Sequence, residues 1–84
     1  MPDETVPCRP LSSLEVGEVA YVVSVGVGTE WQGRLNAMGI SVGKHVTLLR
    51  KANLNGPLQL RVGTTELAIR RGEAQLIGVQ PHHG

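Results

Sequence analysis

The chain has 84 residues, enough for one domain around a single compact core, and this length excludes a second domain. Eight Lys and Arg against seven Asp and Glu give a net charge of +1, and aromatic residues make up only 2% of the chain, so nucleic-acid binding by charge or base stacking is disfavoured. Cys8 is the only cysteine, which excludes an intramolecular disulfide and a multi-cysteine zinc site and favours a reducing compartment.

The N-terminal ten residues contain acids and prolines and lack the apolar stretch of a signal peptide. The longest nearly apolar segment, residues 19–28, is much shorter than the roughly 20 residues that a membrane-spanning helix needs. We therefore expect a cytoplasmic protein with no direct membrane insertion.

Three prolines among the first ten residues predict a flexible tail over residues 1–9, with the fold beginning at Pro10. Leu11 and Leu14 lie three positions apart, as on a short helical turn. The β-branched run at residues 19–25 predicts a mostly buried first strand.

One short amphipathic helix is predicted between the first and second strands. Trp31, Leu35 and Met38 recur at i, i+4 and i+7, which places them on one helical face. Gly39 directly follows this stripe and fits a left-handed residue that ends the helix, because glycine adopts positive φ without a Cβ penalty.

Four more strands are predicted where apolar and polar residues alternate between turn signals, at residues 45–51, 58–62, 65–69 and 76–80. Asn55-Gly56 marks the tip of the hairpin between the first two of these strands. Five short strands, tight turns and one helix favour a mainly β fold, a small SH3-like barrel over residues 10–80, with a second tail at residues 81–84.

The apolar positions of these elements are predicted to fill the barrel. The expected core residues are Leu35, Met38, Val46, Leu48, Leu60, Leu67 and Ile77.

Three stretches together carry a family resemblance: LSSLEVGEVAYVVSV, RLNAMGISVGKHVTLLRKANLNGPLQLRV and ELAIRRGEAQLIGV. Their most specific motif is the run R-L-x-x-M-G-I-x-x-G at residues 34–43, supported by Gly56-Pro57 and by L-A-I-R-R-x-x-A at residues 67–74. In order and spacing these stretches resemble the ferrous iron transport protein A (FeoA) family over residues 10–79.

This resemblance implies an SH3-like barrel that accompanies the large membrane protein of bacterial ferrous iron uptake and acts on its cytoplasmic GTPase part. Similar barrels also occur at the end of metal-dependent repressors of the diphtheria toxin repressor type. The present chain has no room for a helix-turn-helix domain.

Six residues are candidates for partner binding: Arg34, Met38, Gly39, Leu54, Arg70 and Arg71. Arg34 lies beside the apolar stripe of the helix, where a charged head either contacts a partner or fastens the helix end. Leu54 is an apolar residue at an expected loop tip, which indicates contact. The two arginines after the fourth strand either bind acidic groups or form a solvated corner.

Metal-ligand candidates are confined to the predicted tails. Cys8 is one, and the pair His82-His83 is the other, but adjacent histidines on a flexible segment bind metal only loosely. His45 has no carboxylate or thiol at ligand spacing and is expected on the surface. We therefore expect no metal site and no cofactor.

Catalytic signatures are missing from the sequence as well. It has no Ser-His-Asp arrangement, no paired carboxylates and no GxxxxGKS/T phosphate loop. The leading hypothesis is a non-enzymatic accessory protein that binds the transporter's GTPase part, with self-association left open. The alternatives are a nucleic-acid-binding small barrel of translation-factor type and a metal-responsive regulatory or peptide-binding barrel.

Overall fold

A computed structural model describes residues 8–26 and 29–81, with Thr29 described by its backbone alone. The elements in chain order are β1 Arg9–Pro10, β2 Val19–Ser24, α1 Thr29–Ala37, β3 His45–Lys51, β4 Leu58–Val62, β5 Thr65–Ile69, α2 Arg71–Ala74 and β6 Gly78–Pro81. A 3₁₀ turn, Leu11–Ser13, follows β1. Within the described ranges, no helix is long and apolar enough to cross a membrane.

The strands form one antiparallel sheet in the order β1-β6-β2-β3-β4-β5. The strands β2 to β5 are neighbours in chain order and pair antiparallel. Short turns join β3 to β4 and β4 to β5, whereas α1 lies in the longer connection between β2 and β3. The mainly β fold and the four strands at residues 19–69 are therefore confirmed, although the sheet has six strands where the sequence predicts five.

The strand that the sequence does not predict is β1, and the last strand, β6, extends further than predicted. Arg9 was assigned to the N-terminal tail, but it pairs with Val79 in the sheet, and Pro81 lies in β6 opposite Ala20. A two-residue strand such as β1 is too short to show a period of two, so the sequence pattern does not reveal it. Residues 1–7 and 82–84 lie outside the described part of the chain.

The helix α2 is also absent from the sequence prediction, which placed a turn there and began the last strand at residue 76. Leu76 is instead 55% exposed, and the Ile77 N–H donates to the Ala74 carbonyl at 3.2 Å as part of the helix end. A four-residue helix that contains Gly72 has neither the length nor the composition to show helical periodicity.

The core lies between the inner face of the sheet, α1 and the 3₁₀ turn. Leu35 on α1 is fully buried, as are the β3 residues Val46 and Leu48 and the predicted core residues Leu60 and Ile77. The other two predicted core residues, Met38 and Leu67, are partly buried and pack against this cluster.

Helix α1 ends as its sequence predicts. Gly39 has φ of +88°, and its N–H donates to the Asn36 carbonyl at 3.0 Å. The Ile40 N–H donates to the Leu35 carbonyl at 2.8 Å, which completes a Schellman motif and returns the chain into the core at the fully buried Ile40.

We predict that Leu35→Ala lowers the free energy of unfolding by roughly 2 to 5 kcal/mol, because a small core cannot collapse around the lost volume. Urea denaturation of the variant and the parent protein measures the change. An unchanged midpoint would mean that Leu35 does not pack in the core.

Glu18 connects β1 to the start of β2. One carboxylate oxygen, Oε2, lies 2.7 Å from Nη2 of Arg9, and the other, Oε1, accepts a hydrogen bond from the Glu15 N–H at 3.0 Å. The Glu15 backbone, followed by the Arg9 guanidinium, lowers the pKa of Glu18 below its ordinary value and outweighs the opposing effect of partial burial.

A lowered pKa in the folded state means that the Glu18 carboxylate contributes stability above its ordinary pKa and loses it as the pH falls through the folded value. Glu18→Gln should therefore lower the melting temperature at pH 7, and the difference from the parent protein should shrink below about pH 4. Glu15→Gln, at an exposed position in the same loop, is the control. A difference that stays constant with pH would contradict this role of the charge.

Candidate partner-binding surface

The β3–β4 hairpin is closed by a turn whose two central residues, Leu54 and Asn55, have φ of 59° and 60°. The Gly56 N–H donates to the Asn53 carbonyl at 3.1 Å across this turn, in the pattern of type I′. The predicted tip, Asn55-Gly56, is therefore one residue too late. Glycine is needed at position 56 because the chain passes close to Ala52, and a Cβ on residue 56 would lie 2.7 Å from the Ala52 Cβ.

Leu54 is 99% exposed and contributes nothing to the core. A leucine in the left-handed region also costs roughly 1 to 2 kcal/mol, because its Cβ crowds the backbone. Neither packing in the core nor turn geometry therefore explains a leucine at this position.

Arg71 contacts the hairpin directly before its turn. Its Nη2 donates to the Ala52 carbonyl at 3.4 Å, a long hydrogen bond from a half-buried side chain. Arg70, by contrast, is exposed on extended backbone before α2 and forms no ion pair among the described residues. Of the two predicted arginines, Arg70 is the one available to a partner.

Arg34 joins the two helices. Its Nη2 lies 2.7 Å from Oε2 of Glu73 on α2, and its guanidinium carbon lies 5.7 Å from the centre of the Trp31 ring. Arg34 remains 62% exposed, so this ion pair is worth little as stabilisation. This contact links α1 to α2, and binding of a partner by the exposed Arg34 side chain stays a prediction. Glu73 was missed, because its partner lies 39 positions away in the sequence.

Met38 and Gly39 lie elsewhere. A Cβ on Gly39 would stand 4.0 Å from Cγ1 of Val62, at the end of β4 opposite the hairpin tip. The six predicted residues therefore do not form one patch. Leu54, Arg70 and Arg71 belong to the hairpin end of the sheet, and Met38 and Gly39 belong to the end of α1.

Arg50 joins the hairpin group, although the sequence analysis did not select it. It is exposed on β3 and pairs in register with Gln59, which pairs with Ala68 two positions before Arg70. We call Arg50, Leu54, Arg70 and Arg71 the hairpin-tip surface.

The small net charge conceals a segregation of charge along the chain. Residues 44–71 contain six Lys and Arg and one Glu, whereas the rest of the chain contains two Arg and six Asp and Glu. The single Glu in the basic segment, Glu66, is 3.2 Å from Arg61, so it does not neutralise the hairpin-tip surface. This surface is therefore basic, with an apolar residue at its tip.

The described residues contain no group of three His, Cys, Asp or Glu side chains arranged to hold a metal ion. Cys8 is exposed, and its Sγ lies against Gly78, which has no side chain in the way. His45 is exposed, with its ring centre 6.0 Å from that of Tyr21. The pair His82-His83 lies outside the described part of the chain.

The family model of the FeoA domain matches residues 9–81 of this chain. The chain belongs to the FeoA domain family. The resemblance noted in the sequence is thus confirmed, and it extends over β1 and β6 as well.

Individual relatives agree with this membership. A protein of Methanocaldococcus jannaschii named Fe(2+) transport protein A is 34% identical over 71 residues, which cover 84% of each chain. The FeoA protein from Chlorobium tepidum is 33% identical, with a TM-score of 0.82 over 89% of this chain and 71% of its own. The protein in a crystal structure of an iron uptake regulatory protein, FeoA, is 28% identical. Its TM-score is 0.79, over 88% of this chain and 96% of its own.

The fold is shared with a larger class of proteins. A manganese-dependent transcriptional repressor is similar with a TM-score of 0.83 and 19% identity, over 93% of this chain and 44% of the repressor. At this identity the similarity concerns the fold alone. The predicted SH3-like barrel is confirmed by these comparisons.

We predict that Leu54→Asn raises the free energy of unfolding by about 0.5 to 1 kcal/mol, because asparagine tolerates the left-handed conformation better than leucine. Leu54→Ala is the matched control, since it removes the same exposed side chain and keeps a residue that disfavours positive φ. Chemical denaturation distinguishes them. A Leu54→Asn protein no more stable than Leu54→Ala would refute the backbone explanation.

Proposed function

We propose that this chain is a non-enzymatic accessory protein of ferrous iron uptake that binds the cytoplasmic GTPase part of the ferrous iron transporter. Membership of the FeoA family and the name of the Methanocaldococcus jannaschii relative support the association with iron transport. The observation that carries the binding role is Leu54, fully exposed in a conformation that leucine disfavours.

The hairpin-tip surface has the properties of a small binding hot spot. Burial of Leu54 against a partner contributes about 1.5 to 3 kcal/mol if the contact is complete. Arginine is enriched in hot spots because its planar head and long stem combine hydrogen bonding with contact area. The exposed Arg50 and Arg70 supply two such side chains beside the tip.

The tip is also held in a defined shape before binding. The Gly56 N–H bonds the Asn53 carbonyl at 3.1 Å, the Ala52 N–H bonds the Pro57 carbonyl at 3.1 Å, and Arg71 holds the Ala52 carbonyl from α2. A preorganised loop loses little conformational entropy on binding. The side chain of Leu54 is thus held at the tip of an ordered turn before the partner binds.

The other predicted residues take different places in this proposal. Arg34 and Arg71 keep α2 against α1 and the hairpin, and so act on the surface by positioning it. Met38 and Gly39, at the far end of β4, form the competing docking surface. The nucleic-acid alternative gains little support, since both aromatic residues, Tyr21 and Trp31, are half-buried.

Binding of the purified GTPase domain of the transporter, measured by biolayer interferometry, tests the proposal. Leu54→Ser should weaken the complex at least tenfold, because the buried apolar contact is lost. Arg70→Glu should weaken it as well. Val42→Ser, at a residue 63% exposed in the turn between α1 and β3, is the control and should leave the affinity unchanged.

Melting temperatures of all variants establish that they are folded. Full binding by Leu54→Ser together with loss of binding by Met38→Ser would place the surface at the end of α1. A parent protein that does not bind the GTPase domain would refute the proposed partner.

A further inference from the structure

Strand β5 has an open side. It pairs with β4 and is last in the sheet order, and no other described strand pairs with it. The two-residue turn Gly63-Thr64 makes Val62 and Thr65 the closing hydrogen-bonded pair of the β4–β5 hairpin. Because hydrogen bonding alternates along antiparallel strands, the backbone N–H and C=O groups of Glu66 and Ala68 point away from β4.

These outward groups are accessible and unprotected. Glu66 and Ala68 are both exposed, and the register between β4 and β5 runs without a bulge. The strand contains no proline and no lysine, two residues that commonly block sheet edges. A regular, accessible edge of this kind is a template for another strand.

We propose that β5 pairs antiparallel with β5 of a second copy of this chain, about a two-fold axis at Leu67. In this register Glu66 lies opposite the partner's Ala68, and Ala68 lies opposite the partner's Glu66. Each of these pairs exchanges two backbone hydrogen bonds, so the junction contains about four of them. The two sheets become continuous.

The side chains of β5 are complementary to themselves in this register. Glu66 meets a neutral alanine rather than another Glu66, which avoids a like-charge pair. Arg70, on extended backbone just beyond the strand, lies diagonally across from the partner's Glu66 and carries the opposite charge. The partly buried Leu67 meets the partner's Leu67 on the inner face. The complementarity at Glu66, Leu67 and Arg70 therefore favours a second copy of this chain over an unrelated peptide.

The contact is small. One five-residue strand from each copy buries much less than the roughly 800 Å² per partner of a standard stable interface. The dimer is therefore weak and depends on protein concentration. This dimer depends on β5 and Arg70 and does not require that the transporter binds.

Amide hydrogen exchange measured by NMR tests the pairing residue by residue. The amides of Glu66 and Ala68 should exchange rapidly in dilute protein and become protected at about 1 mM, while the Leu67 amide, bonded to β4, is protected at both concentrations. Equal exchange of Glu66 and Ala68 at both concentrations would overturn the proposal. Protection that appears only on addition of the transporter's GTPase domain would overturn it too, by showing a different occupant.

Two charge variants at one exposed position test the register. Ala68→Glu places a like charge opposite the partner's Glu66 and should raise the dimer dissociation constant about threefold or more, whereas Ala68→Lys should lower it by a similar factor. Sedimentation velocity over a concentration series measures both. Val42→Glu and Val42→Lys, at an exposed residue outside β5, should leave the constant unchanged. A change of the same sign in both Ala68 variants would overturn the two-fold register.

Discussion

The burial of Leu35 beneath one antiparallel sheet is the constraint on which the rest of this small protein depends. The sheet has a single inner face, and α1 and the 3₁₀ turn cover it, because the described residues form no second sheet that could do so. Leu35 provides that cover from α1, and the Schellman motif at Gly39 then brings Ile40 into the same core. With α1 held there, its exposed side is left to interact with α2.

Helix α2 is short, yet its side chains contact both the β3–β4 hairpin and α1. Arg71 reaches from it to the hairpin through the Ala52 carbonyl, and Glu73 reaches from it to α1 through Arg34. Both contacts involve exposed or half-exposed groups, so each adds little stability, and their effect is mainly on position. They also divide the arginines by role. Those that join elements are engaged within the fold, whereas Arg50 and Arg70 beside the hairpin tip are exposed.

The parts of the fold that the sequence predicts are those with enough residues to show a period. Strands β2 to β5 and the stripe of Trp31, Leu35 and Met38 meet this condition, and the exposure of Leu54 follows from its place between two asparagines. Elements of two and four residues do not meet it, which is why β1 and α2 were missed. Contacts between distant segments, such as Arg34 with Glu73, depend on the packed fold and leave no local pattern. The sequence also does not predict the positive φ of Leu54, since the Asn55-Gly56 pair indicates a turn one residue later.

The two proposed interfaces meet at Arg70. This residue ends the open edge of β5 and also stands beside the hairpin tip, on the outer face that Ala68 and Arg50 share. A second copy paired along β5 places a carboxylate near the Arg70 guanidinium, and a partner docked on the tip uses the same cation. One side chain cannot satisfy both contacts fully, so each complex weakens the other by thermodynamic linkage. If both interfaces form, self-association at high protein concentration opposes docking of the partner. On dilution the weak dimer dissociates, and the monomer that it releases can bind the partner.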